Sequence, residues 1–197
     1  MKAYRLVGTA GSHCGFVHLY VRQGDLKTRE LPGIGDGVPA VGVTVYADDV
    51  FEVDVVAVHF PAGEDNAAAR RLLLSRDLKF LLKRGRSFVL AGDFNVREDE
   101  AVVWRERFGI VDAGYAGYSW DPRKNKYLAP LEGGRRPQAR RFDRVFVSRV
   151  QAAYAYLAGM VTHFAPDSGR EFHLSDHFAW WLCWASRTAR ASVTWTR

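Results

Sequence analysis

An acid and an amide stand two residues apart in Gly92-Asp93-Phe94-Asn95, directly after the apolar run Phe88-Val89-Leu90-Ala91. The run reads as a short buried strand, and the glycine lets the chain turn at its end. An Asp placed there can align or deprotonate a water molecule. An Asn beside it can hydrogen-bond a phosphate oxygen, and together they are half of a phosphodiester-cleaving site. Two further strings, Arg141-Phe142-Asp143-Arg144 and Ser175-Asp176-His177, also border apolar runs. Any one of these alone is more often a turn. Three in this order outweigh that reading.

Positioning such residues takes strands that end together and a layer that covers them. Tyr4–Val7, Phe16–Val21, Val41–Tyr46 and Val53–Phe60 are rich in Val, Tyr and Phe and separated by Gly, Asp and Pro, which predicts strands. From Glu64 to Arg84 the leucines recur at helical spacing with Arg and Lys between them, which predicts one amphipathic helix over a sheet. Phe88–Ala91 is the next strand and Glu98–Arg107 the next helix. The Gly-, Pro- and Arg-rich stretch Asp121–Arg140 reads as loop, followed by strands at Phe142–Val147 and Phe178–Trp184. Residues 1–186 read as one domain of layered α/β type and residues 187–197 as a basic tail, with an edge strand at Val193-Thr194-Trp195.

A chain of 197 residues, 48% of them hydrophobic, is long enough to bury a single sizeable core. The net charge of +6 favours a polyanionic partner, although many soluble enzymes are equally basic. Cys14 and Cys183 lie far apart and form no C-x-x-C pair, which fits a reducing, intracellular compartment. No apolar stretch approaches the roughly 20 residues of a membrane span, so no membrane partner is expected. His13, Cys14 and His18 match no zinc spacing, and Gly33, Gly35 and Gly37 lack the dinucleotide-binding pattern. His59 is expected to be a buried support for the site rather than a catalytic group. Trp120 could stack on a base if exposed, and the arginines from Arg135 to Arg144 could meet a phosphate backbone.

Taken in order, Val58-His59-Phe60, Gly92-Asp93-Phe94-Asn95, Ser119-Trp120-Asp121, Arg141-Phe142-Asp143-Arg144 and Ser175-Asp176-His177 resemble the endonuclease/exonuclease/phosphatase superfamily. Within it, the Trp-Asp pair and the Arg-Phe-Asp-Arg run look most like the tyrosyl-DNA phosphodiesterases that act on 5′ adducts. The resemblance implies a four-layer α-β-β-α sandwich and a Mg²⁺-dependent hydrolysis of phosphodiesters at nucleic-acid ends. It assigns Asp93 to the attacking water, Asn95 to the scissile phosphate and Asp143 to the orientation of His177. His177 would stabilise the phosphorane, and Asp176 would lie near the metal. Trp120, Arg140, Arg141 and Arg144 would contact nucleic acid.

One departure qualifies this picture. The superfamily's chief metal ligand is a Glu within a Gln-Glu pair in its first third, and no Gln-Glu occurs in this chain. Glu30 follows Thr28-Arg29 and is not a substitute. The chain resembles a family member that is truncated at its N-terminus, with weak Mg²⁺ binding, since hard cations need several oxygen ligands. Two expectations follow: an impaired enzyme, or an inactive relative kept as a structural or nucleic-acid-binding subunit. A protein or RNA partner would then cover the missing third, because stripped sheets have open edges. A phosphoinositide or sphingolipid phosphodiesterase shares these motifs but fits the Arg-rich loop less well.

Overall fold

In the computed structural model, the residues described are 4–12, 15–22, 27–32, 34, 38–47, 51–83, 87–113, 117–124, 138–148, 153–158, 163–164, 171–172, 179–185 and 190–196. Among them, two sheets lie face to face. One contains six strands: β3 (Lys27–Glu30), β4 (Ala40–Ala47), β5 (Phe51–His59), β6 (Phe88–Asp93), β7 (Val111–Asp112) and β8 (Asp143–Ser148). Their order is β3-β4-β5-β6-β8-β7, and only the β5–β6 pair is parallel. The other sheet orders β1 (Tyr4–Ser12), β2 (Gly15–Arg22), β13 (Arg190–Thr196), β12 (Ala179–Ala185) and β9 (Ala153–Ala158) from edge to edge. A separate two-stranded pair joins β10 (His163–Phe164) to β11 (Glu171–Phe172).

Strand alternation sorts the side chains into two cores. Val53, Val55 and Ala57 of β5, Val89 and Ala91 of β6, and Val145 and Val147 of β8 face the second sheet, meeting Val17, Leu19 and Val21 of β2. Each such Val or Leu contributes about 1.5–3 kcal/mol when fully buried. The residues between them, Val56, Val58, Leu90 and Phe146, face the opposite way under helices. Those helices are α1 (Ala67–Leu72), α2 (Lys79–Lys83) and α3 (Glu98–Phe108). The described residues therefore give three layers of an α/β sandwich: helices, six-stranded sheet and five-stranded sheet.

The helix expected over residues 64–84 is broken. It begins as a 3-10 turn at Glu64–Asn66, becomes α1, widens to a π-turn at Leu73–Asp77 and resumes as α2. In the π-turn the Leu78 N–H donates to the Leu73 carbonyl, 2.9 Å away and five residues back. One extra residue per turn re-aims the helix face, so Leu74, Leu78 and Leu81 all stay buried. The segment still does what a parallel β5–β6 pair requires, since its two strands can be joined only by a crossover.

The C-terminal residues also differ from expectation. Arg190–Thr196 is no edge or appended tail: β13 is hydrogen-bonded on one side to β12 and on the other to β2. The chain's last described strand thus closes the middle of the second sheet. The basic residues from Arg187 onward read as a tail because charge says nothing about long-range pairing.

Arg70 holds the crossover to the sheet. Its side chain is 2% exposed; Nε and NH2 bond both oxygens of Glu100 on α3, and NH1 bonds the carbonyls of Pro61 and Gly63. Replacing Arg70 by Met leaves two carbonyls and a partly solvated carboxylate to find new partners. The expected cost is about 1–3 kcal/mol, read as a lower urea midpoint. An unchanged midpoint would show that the clamp contributes nothing.

Candidate active site

The two acids found in sequence meet across one ladder. β6 and β8 are antiparallel, and their register sets Asp93 directly opposite Asp143 at the end of the pairing. Directly opposed residues have Cβ atoms roughly 4.5–5.5 Å apart and side chains on one face. Parallel pairing on the other side of β6 sets His59 beside Asp93, with Nε2 3.7 Å from Oδ2. By the alternation described above, all three continue the face that packs against the second sheet. The site therefore sits at the open end of the inter-sheet core. His59, Asp93 and Asp143 are each no more than 6% exposed.

The turn after Asp93 is built to present Asn95. Gly92 has φ 141°, and a Cβ there would stand 2.1 Å from the Val58 carbonyl oxygen. Asn95 follows in left-handed conformation, with φ 52°. Its N–H donates to Asp93 Oδ1 at 2.9 Å, and its Nδ2 donates to the Phe60 carbonyl at 2.9 Å. The second amide hydrogen and the carbonyl of the Asn95 side chain extend the polar surface beside Asp93. Strain of this kind costs about 1–3 kcal/mol and persists where the surroundings over-determine it. Phe94, between the two polar residues, does this: it is fully buried, with its ring edge-on to Phe60, Phe146 and Trp104 of α3 at centroid distances of 5.0–6.1 Å.

A second segment approaches from the other side. Ser119 is completely buried, and its Oγ accepts the Asp143 N–H at 3.0 Å. Trp120 and Arg140 form a bridge of two backbone bonds, and the Trp120 ring lies 6.0 Å from Phe142. Asp121 accepts from the Arg123 N–H, Nε and NH2 at 2.9–3.0 Å. Those bonds hold the Asp121 carboxyl below its ordinary range, against the opposing effect of burial. A depressed folded value means stability that is complete above the ordinary carboxylate pKa of about 3.9 and lost as pH falls through the lower folded one. Asp121→Asn should accordingly flatten the acid limb of a plot of melting temperature against pH, below about pH 4. An acid limb as steep as before would exclude Asp121 as its source.

The arginines expected at a nucleic-acid surface divide. Arg140 is half-buried, with NH1 bonding Gln138 Oε1 at 2.8 Å. Arg141 and Arg144 turn inward: both bond Asp112 of β7, at 2.5 and 2.9 Å, and Arg144 also reaches Glu98 of α3 at 3.0 Å. Arg144 is 1% exposed and lies on the helix side of β8, the face opposite Asp143. Its position is that of an internal tie between β7, β8 and α3. Burial pushes Glu98 up, but the hydrogen bond and charge of Arg144, with Arg141 and Arg105, outweigh it and leave the carboxyl lowered. Asp112 and Ser119 went unassigned in sequence. Only the Ser119-Trp120-Asp121 string carried a signal, since Asp112 pairs with residues far along the chain.

Asp176 and His177 lie outside the described residues. Among those described, no three His, Cys, Asp or Glu side chains gather into a cation cage. Asp93 and Asp143 supply two carboxylates where a hard cation takes six or more oxygens. The described donors do not by themselves fit a Mg²⁺ site. Also among them, no helix is long and apolar enough to cross a membrane.

Comparison with known proteins gives a consistent result. The model of the Endonuclease/Exonuclease/phosphatase family matches residues 15–177. No curated protein sequence matches the chain. Among solved structures, D. rerio TDP2 complexed with single strand DNA product superposes with a TM-score of 0.61 at 16% identity, covering 100% of this chain and 77% of that one. The endonuclease domain of TRAS1, a telomere-specific non-LTR retrotransposon, gives 0.59 at 14% identity, over 98% and 80%. Staphylococcus aureus beta toxin, as an F277A, P278A mutant with bound magnesium ions, gives 0.56 at 16% identity, over 81% and 58%. At these identities the likeness is one of fold.

Proposed function

Because this chain belongs to the endonuclease/exonuclease/phosphatase family, we propose that it is a phosphodiesterase-type domain acting on nucleic-acid ends. The observation that carries this reading is the register pair Asp93–Asp143, with Asn95 presented beside it by a strained turn. In the proposed reaction Asp93 aligns the attacking water, steadied by His59 and by the Asn95 N–H. The remaining Asn95 amide hydrogen donates to a phosphate oxygen, and Asp143, held by Ser119, orients His177. Nucleic acid as substrate is supported by the DNA-bound TDP2 structure and by the Trp120–Phe142 pair beside the acids. Mg²⁺ belongs to the proposal through the family and the magnesium-bound toxin, with no step assigned to it.

The decisive test is hydrolysis by the full chain of an oligonucleotide carrying a 5′-phosphotyrosyl group, with Mg²⁺ and with EDTA. Sphingomyelin and an internal DNA phosphodiester serve as competing substrate classes. Release of tyrosine from the 5′ end alone supports the reading; cleavage of the lipid alone overturns it. A second reading, an inactive relative that binds nucleic acid within a larger assembly, is favoured by the lack of a Gln-Glu pair in the sequence given. Oligonucleotide binding with no turnover of any substrate selects that alternative. A covering partner is part of it, since β1 and β3 end their sheets among the described residues and enclose a groove of about 540 Å³.

A further inference from the structure

Asp112 stands at the centre of a charge network whose two arms end on either side of Asp143. Its carboxylate is buried, 3% exposed, and each oxygen accepts from a different arginine. Oδ1 accepts from Arg141 NH2 at 2.5 Å and Oδ2 from Arg144 NH1 at 2.9 Å. Arg141 precedes Asp143 by two residues, and Arg144 follows it directly. β7 sets Asp112 opposite Phe146, so the carboxylate approaches β8 from the helix side, the face away from Asp143.

The two arms act on different parts of the chain. Arg144 lies on the helix face of β8, where alternation puts it. Its bond to Asp112 ties two strands that are already joined, since the Ala113 N–H donates to the Val145 carbonyl at 2.8 Å. Arg141 lies outside β8, which begins at Asp143. Were the strand to run on, Arg141 would share the face of Asp143, yet it reaches Asp112 on the other side. The chain has therefore turned within Arg141–Phe142, and the Arg141 bond holds it in that turn. Two bonds at the site depend on where this segment lies. The Phe142 carbonyl accepts the Phe94 N–H at 3.0 Å, and the Asp143 N–H donates to Ser119 Oγ at 3.0 Å. Phe94 stands between Asp93 and Asn95. One carboxylate behind the sheet thus restrains the segment that connects both acids.

We infer that Asp112 is a positioning residue: through Arg141 it fixes the Arg141–Asp143 segment and so sets Asp143 against Asp93. Its link to catalysis rests on the phosphodiesterase reading, whereas the positional claim does not. A bond that only joined β7 to β8 would cost stability when lost but would leave the acids in place. A bond that positions Asp143 costs rate, since a 1 Å displacement caused by a remote change can lower turnover on the order of 10²-fold.

The test compares Asp112→Asn with the wild-type full chain by amide hydrogen exchange and by single-turnover hydrolysis of the 5′-phosphotyrosyl oligonucleotide, both well below the melt. Asparagine keeps the shape of the side chain but offers one acceptor to two arginines. Exchange at the Phe94 and Asp143 amides should rise about 10-fold or more, as for local opening after loss of one charge-assisted hydrogen bond. The Val56 and Leu90 amides, in the middle of β5 and β6, should be unaffected. The rate at saturating enzyme should fall on the order of 10²-fold, with the half-saturating enzyme concentration unchanged. Arg141→Met breaks the same arm and leaves Arg144 on Asp112. It should reproduce both changes, and the double variant should be no worse than either single one, as for residues that act through one contact. Arg141→Met also decides the matter if Asp112→Asn fails to accumulate. Unchanged exchange at Phe94 and Asp143 would overturn the inference, and a uniform rise across the sheet would do so too, leaving Asp112 a tie between strands. So would an unchanged rate in a protein whose turnover Asp93→Asn abolishes. If the wild-type chain turns over no substrate, it is the phosphodiesterase reading that falls, and local exchange alone decides the positional claim.

Discussion

Asp93→Asn should lower 5′-phosphodiester hydrolysis by about 10²–10⁴-fold, the usual range for loss of a positioned acid–base group. In free energy that is about 2.7–5.5 kcal/mol of barrier, at 1.36 kcal/mol per decade. The substitution keeps the shape of the side chain. An amide oxygen can still accept the Asn95 N–H that now bonds Oδ1 at 2.9 Å, so the turn should survive. What the amide cannot do is accept a proton or carry charge beside His59, whose Nε2 is 3.7 Å from Oδ2. The loss should therefore fall on kcat, with the urea midpoint and oligonucleotide affinity close to wild type. Single-turnover rates at saturating enzyme measure it directly. Equal rates for the two proteins would remove Asp93 from the reaction and, with it, the reading built on the Asp93–Asp143 pair.

The largest effect on folding is expected at Gly92. An alanine there meets two obstacles that act together. Its Cβ would sit 2.1 Å from the Val58 carbonyl oxygen and 3.0 Å from that residue's nitrogen and carbonyl carbon, and φ is 141°. The obstructing atoms are backbone of β5, bound in parallel register to β6, and cannot swing aside as a side chain would. Strain contributes about 1–3 kcal/mol and overpacking a further 1–3 kcal/mol. A cost of roughly 2–6 kcal/mol is a large part of the 5–15 kcal/mol by which most domains are stable. Gly92→Ala should accumulate poorly or unfold at a much lower urea concentration. A midpoint equal to that of wild type would mean that the Gly92–Val58 approach is not as close as described.

Local order in the sequence was enough to find the elements that end at the site. Phe88–Ala91 and Phe142–Val147 read as strands from their apolar runs, and the acids at their ends, Asp93 and Asp143, were singled out with them. The α3 boundaries also followed from residue type, since Glu98, Asp99 and Glu100 suit a helix start and Arg105 and Arg107 its end. These signals survive because they depend on neighbours within one turn or two strand positions.

Tertiary structure decided how those elements meet. That Asp93 opposes Asp143 depends on antiparallel pairing between strands far apart in the chain, and a one-residue slip would send one acid to the helix side. The same parity turned Arg144 away from the surface and onto Asp112 and Glu98, although its run of arginines reads as a solvated, phosphate-seeking loop. The π-turn at Leu73–Asp77 and the central place of β13 have the same origin. Periodicity states which side of an element is apolar. Which surface lies opposite that side is set by packing between elements, where burial and the pairing of buried charge are decided across the fold.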